Sequence, residues 1–280
     1  MRYALIFWVA LATFFSLRRP AAPVNAPVLF FSDLTSGGRT GLTDASVTNQ
    51  GAIVTVWGTG LASSQGASTI SVGSPASGWV PAAHVYYWQN ATGSKPGGPA
   101  DLFTKQKIQE VAFSIASTTP VGNQYIKVTT GGVDSNLLPF TVAKSGSFFF
   151  VKPSTGSDNI FCGSWTMPCA SFNYVVHKGF TIGSVIYSAE DITMNNSSGP
   201  DVSIDDDGTP AAHKALIAYP NTLVNLTTGN ANNAVQSFTS GTNDRSAYWT
   251  IAKINTKTDG LAINLGIGSR ISTVRLRINK

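Results

Sequence analysis

Several groups of residues in this 280-residue chain have the types and spacing to do chemistry. Asp205, Asp206 and Asp207 form its one acidic run, closed by Gly208. Ca²⁺ takes roughly six to eight oxygen ligands, and carboxylates gathered on a turn supply them. The run therefore reads either as a Ca²⁺ site or as a solvated turn tip, and its spacing is not that of an EF-hand loop. No other cofactor is evident. Lys253 lies among apolar neighbours on an expected strand, as an outward-facing lysine or as a base lining a groove. Asp244 and Arg245 are adjacent and precede Trp249, which suits a surface turn or a sugar-binding pair. Trp88 clusters with Trp79, Tyr86 and Tyr87. Such rings stack on sugars, and they equally fill the core and edges of a β-sheet. Cys162 and Cys169 are the only cysteines. An even count at close spacing reads as one disulfide if the chain is exported. A zinc site lacks its third and fourth ligands.

Other catalytic patterns are missing from the sequence. There is no Gly-x-Ser-x-Gly elbow, and His84, His177 and His213 are scattered. Gly58-Thr59-Gly60 and Gly131-Gly132 read as turns, not phosphate cradles.

Composition bounds the partners. Charged residues are 12% of the chain, against about 25% in an ordinary globular domain. The formal charge is +5, but Arg2, Arg18 and Arg19 fall within the first twenty residues. Without that segment 16 basic and 14 acidic side chains remain, a balance of +2. No later Lys/Arg stripe appears, so nucleic acid is not an expected partner. Arg2 followed by Ala4 to Phe15, apolar apart from Thr13, has the order of an export signal, read here as residues 1–26. The run is short of the ~20 residues that span a bilayer. The competing reading is a short anchor left uncleaved. Export places the protein outside the cell or at its surface, with no stable membrane insertion once the signal is removed.

The elements that must position these residues are short strands. Gly, Ser, Thr and Asn are frequent, and Val, Ile, Phe and Tyr supply the apolar content, which favours strands and turns over helices. Strands are expected near residues 27–31, 51–58, 68–72, 83–88, 107–115, 122–130 and 138–142. Seven short strands in about 115 residues is the pattern of an immunoglobulin-like sandwich. The runs GAIVTVWGTGLASSQGASTISVG and QEVAFSIASTTPVGNQYIKVTTGGVDSNLLPFTV resemble the IPT/TIG family of immunoglobulin-like domains in their order of strand, Gly-x-Gly turn, Gly-ended strand and closing Phe-x-Val. The resemblance covers residues 27–143. It implies a spacer or binding module.

Residues 143–147 are a short polar joint. It is too short for free motion, so contact between the two parts is expected. Beyond it, FFFVKPSTGSDNIFCGSWTMPCASFNYVVHKGFTIGSVIYSAED runs as strand, Gly-Ser-Asp turn, Cys-bounded loop, two-turn amphipathic helix and strand. This order resembles the N-terminal cap of secreted right-handed parallel β-helix proteins of the pectate-lyase-like type. ALIAYPNTLVNL resembles their first coil. Two departures are Ser184, where the family usually has Asp, and a helix poor in Ala. Trp249 to Val274 and Ile251 to Leu276 suggest a 25-residue coil. The expected architecture is thus all-β, an immunoglobulin-like sandwich followed by a right-handed parallel β-helix over residues 148–280. That β-helix reads as incomplete, since the chain stops at Lys280 in an apparent strand.

The resemblance implies a secreted carbohydrate-active protein that acts on or binds an extracellular, acidic polysaccharide. Lyases on this fold screen a uronate with Ca²⁺ or Arg and withdraw its C5 proton with Lys or Arg, because that proton becomes acidic only once the carboxylate is neutralised. Hydrolases would need two carboxylates about 5–10 Å apart. The catalytic coils are expected to be missing here, and no catalytic residue is assigned. The alternative is a non-catalytic surface, adhesion or carbohydrate-binding protein.

Overall fold

The computed structural model describes residues 26–94, 100–177, 183–195, 202–204, 207–209, 212–228, 235–237, 247–258, 263–264, 270–274 and 277–279. Among them the chain is all-β, with two short helices, Phe103–Gln106 and Phe172–His177. No helix among the described residues is long and apolar enough to cross a membrane. The export-signal reading lies outside the described residues.

The N-terminal part is a pair of sheets. The first takes its strands in the order Val28–Ser32, Ile53–Thr59, Gln109–Ser114 and His84–Asn90, all antiparallel. The second runs Ser36–Gly38, Leu138–Ala143, Gly122–Thr130, Thr69–Ser74 and Gly78–Pro81. Ser36–Gly38 pairs parallel to Leu138–Ala143, and the other pairs along this order are antiparallel. Alternation along each strand sends one set of residues inward. Val54, Val56, Val111 and Phe113 of the first sheet meet Ile70, Val72, Ile126, Val128 and Phe140 of the second in one buried cluster.

The C-terminal part is built from three sheets whose strands are all parallel. The first holds Phe148–Val151, Val185–Ser188, Lys214–Ala218, Ala247–Ala252 and Arg270–Val274. The second holds Ile192–Asn195, Val224–Thr228, Ile254–Thr258 and Arg277–Asn279. The third holds Val202–Ile204, Val235–Ser237 and Ile263–Asn264. From Val185 onward the chain visits the three sheets in turn. Stacked strands place like on like: Asn255 Nδ2 donates to Asn225 Oδ1 of its register partner at 2.7 Å.

The structure revises two details of spacing. Trp249 pairs with Ile271 and Ile251 with Thr273, so the last stacked strands lie 22 residues apart, not 25. The earlier step is longer, since Ala215 pairs with Thr250. Segments of unequal length join strands held in register, which blurs any fixed period. Residues 248–254 and 271–278, each expected as one strand, are each divided between two sheets. In the former the break falls at Lys253, whose φ of 59° turns the chain out of the strand direction.

The opening segment is stapled by the Cys162–Cys169 disulfide. Asp158 ties this loop to the helix by accepting from Ala170 N, Ser171 N and Ser171 Oγ. Ser171 Oγ in turn accepts from Tyr174 N, the bond expected of a helix-capping serine. The helix buries Phe172, Val175 and Val176.

Candidate functional site

A group of buried polar side chains lies where the antiparallel pair meets the first parallel sheet. Both sides have local reasons for their shape. The 143–147 joint is tied down by Arg39 N donating to Ala143 O and Gly146 N donating to Thr40 O. The approach is so close that a Cβ on Gly38 would fall 2.1 Å from Gly146 N. The first parallel sheet is therefore held against the outer face of Ile53–Thr59, as the short joint led us to expect. Alternation along the parallel strands then serves two cores. Val185, Tyr187, Ala215, Ile217 and Ala252 pack toward the antiparallel pair. Ile186, Leu216, Ala218 and Ile251 pack into the parallel part.

Among the described residues, polar groups meet across this junction at three places. The Tyr187 hydroxyl accepts from Ile53 N at 2.9 Å and donates to Ile53 O at 3.1 Å. Asp44 Oδ2 accepts from Tyr86 at 2.5 Å and from Tyr219 at 3.0 Å. Its Oδ1 accepts from Ser46 N and Val47 N. Burial, joined by the bond to Asp44, pushes the Tyr86 hydroxyl far above the usual phenol range. Burial and the charge of Asp44 do the same to Tyr219.

The third contact is ionic. Lys253 Nζ lies 3.1 Å from Thr55 Oγ1 and 3.6 Å from Asp33 Oδ2. The two charged side chains are 1% and 0% exposed. Asp33 Oδ1 accepts from Thr55 N at 2.7 Å, and Thr55 Oγ1 is 3.5 Å from the Tyr87 hydroxyl. Burial holds the Asp33 carboxyl above the ordinary carboxylate range, against the opposing pull of Lys253 and Thr55. Water has no access to this group of side chains, so it is built to hold or join the two parts.

The structure disperses the residues singled out from sequence. Lys253 faces neither solvent nor an open groove, because the antiparallel sheet covers it. Trp88 is core, and its Nε1 donates to Leu61 O at 2.6 Å. Tyr86 and Tyr87 belong to the junction, while Trp79 lies on the outer face of the second sheet with Lys127 Nζ 4.4 Å from its ring centre. Asp207 Oδ1 accepts from Ala247 N. Asp205, Asp206, Asp244 and Arg245 lie outside the described residues. Asp158 stands near both cysteine sulfurs, but the sulfurs are joined to each other and are not free to ligate a metal.

Sequence reasoning missed Asp33, Asp44, Tyr187 and Tyr219. One signal was present: Lys253, flanked by Ala252 and Ile254, is a charge in an apolar run, and charged residues are almost never fully buried unless paired.

The open surface offers two neighbouring hollows. One of about 420 Å³ is bordered by Phe30, Phe31, Leu138 and Pro139. The other, about 210 Å³, is bordered by Asn123, Gln124, Tyr125 and Pro139. Phe30 is 48% exposed and Tyr125 36%. No protein-family model matches this chain, and a search of curated proteins finds no relative.

Proposed function

We propose that this is an exported carbohydrate-binding protein, in which an immunoglobulin-like sandwich over residues 27–143 is fixed to a right-handed parallel β-helix of the pectate-lyase-like type over residues 148–280. The observation that carries the reading is the serial visit to three parallel sheets behind a disulfide-stapled opening loop. An in-register parallel stack makes a long regular face, which suits an extended polymer such as a polysaccharide. The exposed rings of Phe30 and Tyr125 beside their hollows suit sugar stacking on the other part. A fold does not fix a function, so the reading rests on binding.

Binding is favoured over catalysis by one finding. Lys253, the candidate base, is enclosed and engaged with Asp33 and Thr55. The test is a panel of acidic and neutral polysaccharides, assayed with the purified chain for binding by calorimetry and for release of unsaturated or reducing ends. Binding of an acidic polysaccharide without turnover is the expected result. Turnover would move the protein to the lyases or hydrolases, and no binding to any member would overturn the carbohydrate reading.

A further inference from the structure

The contact between Lys253 and Asp33 is a poor ion pair. Its 3.6 Å separation exceeds hydrogen-bonding distance, and Asp33 Oδ2, fully buried, accepts no hydrogen bond. Two ions withdrawn from water are offset only by close geometry and satisfied lone pairs. Lys253 instead aims its ammonium at Thr55 Oγ1. Its backbone holds the left-handed conformation at the break between Ala247–Ala252 and Ile254–Thr258. Strained backbone of this kind clusters at functional sites.

We propose that Lys253 and Asp33 condense into an intramolecular isopeptide bond that joins the two parts covalently. The atoms balance without a co-reactant. A proton passes from the ammonium to the carboxylate, leaving a neutral amine and a neutral acid. The Nζ lone pair attacks Cγ, forming the C–N bond. The Cγ–Oδ2 bond then breaks, and Oδ2 departs as water with the acid proton and one proton from nitrogen.

The surroundings supply what each step needs. Thr55 N–H donates to Oδ1 at 2.7 Å, where negative charge develops in the tetrahedral intermediate. The Thr55 hydroxyl, 3.1 Å from Nζ and beside the Asp33 carboxyl, relays the proton leaving nitrogen to the departing Oδ2. Burial favours the neutral form of Asp33, whose carboxyl is held above the ordinary range. Exclusion of water protects the amide from hydrolysis. The product is better satisfied than the reactants. Oδ1 keeps its bond from Thr55 N, the new N–H faces Thr55 Oγ1, and the unbonded oxygen is gone together with both charges.

The condensation is independent of what the protein binds. Its test is the intact mass of the full chain after denaturation, followed by a tryptic map. The expected mass is that of the disulfide-bonded chain less one water. Lys253 then resists trypsin, and the peptide of residues 246–257 is recovered joined to the one that contains Asp33 and ends at Arg39. Asp33→Ala and Lys253→Arg are each expected to show the full mass. Thr55→Val is expected to raise the unjoined fraction. A full mass for the wild-type chain, with cleavage after Lys253, would overturn the proposal and leave an ion pair only. Loss of water with the two peptides separate would overturn it too, since that marks ring closure at an aspartate. The wild-type result decides even where a variant fails to fold.

Discussion

The two parts of the molecule bury their strands differently. In the second antiparallel sheet, Gly122–Thr130 sends Gln124, Ile126 and Val128 into the core and leaves Asn123 and Tyr125 outside. That is a sheet with one covered face. In the first parallel sheet, Val185–Ser188 and Lys214–Ala218 are buried at every position. Alternation persists there, but successive residues enter two different cores. The junction is therefore packed like an interior, and apart from Asp33 Oδ2 the polar groups described there have partners. A joint with this burial is expected to unfold together with the parts it connects.

The strongest way to break that equivalence is to leave one charge behind. Asp33→Ala leaves the Lys253 ammonium buried with neither a carboxylate nor a cross-link opposite it, and loss of one partner of a buried pair costs about 3–5 kcal/mol. Urea unfolding of the variant checks the figure. The double variant Asp33→Ala with Lys253→Met removes the stranded charge and is expected to be more stable than Asp33→Ala alone. Next come truncations within the two cores. Phe113 is fully buried in the antiparallel pair and Trp249 in the parallel part. Phe113→Ala and Trp249→Ala are each expected to cost about 3–5 kcal/mol. If the parts unfold as one unit, either variant lowers a single transition seen alike by tryptophan fluorescence and far-ultraviolet dichroism. Two separate transitions, each moved by one variant, would show the parts to be independent.

Local structure was largely legible in the sequence. The strand expected at 122–130 is Gly122–Thr130, that at 148–151 is Phe148–Val151, and the helix on Phe172, Val175 and Val176 is present. The disulfide between Cys162 and Cys169 is the one expected from an even, closely spaced pair in an exported chain. Short elements without alternation were not, such as Gly78–Pro81 and Ser36–Gly38, because pairing partners distant in sequence define them. The junction was hidden for the same reason. Lys253 meets Thr55 across 198 residues, and Tyr187 meets Ile53 across 134. A lysine on a strand has the same local sequence whether it faces solvent or another sheet.

Tyr187 ties the two parts together through a single hydroxyl. Its hydroxyl serves both backbone groups of Ile53, which lies beyond the end of the Val28–Ser32 pairing. Tyr187→Phe keeps the ring packing and leaves a buried N–H and C=O without that partner. Such orphaned groups cost about 1–3 kcal/mol. The expected outcome is a loss in that range, with faster amide hydrogen exchange confined to Ile53 and its neighbours. Unchanged exchange there would mean that water or a backbone shift replaces the hydroxyl.

The smallest expected effect lies in the parallel part and depends on pH. His213 is half-buried with its Nδ1 lacking a hydrogen-bond partner, and its ring centre lies 5.6 Å from that of Tyr248. Burial disfavours the charged imidazole and holds its pKa below the ordinary 6.5. As pH falls through 6.5 the unfolded chain takes up a proton that the folded chain still refuses, so stability declines. The decline ends once the folded histidine is protonated as well. At pH 8 the group is neutral in both states and its contribution is flat. His213→Gln removes the titration, so the wild-type and variant unfolding curves should run parallel above pH 7 and converge or cross below 6.5. Parallel behaviour throughout would show His213 to be as solvated in the folded chain as in the unfolded one.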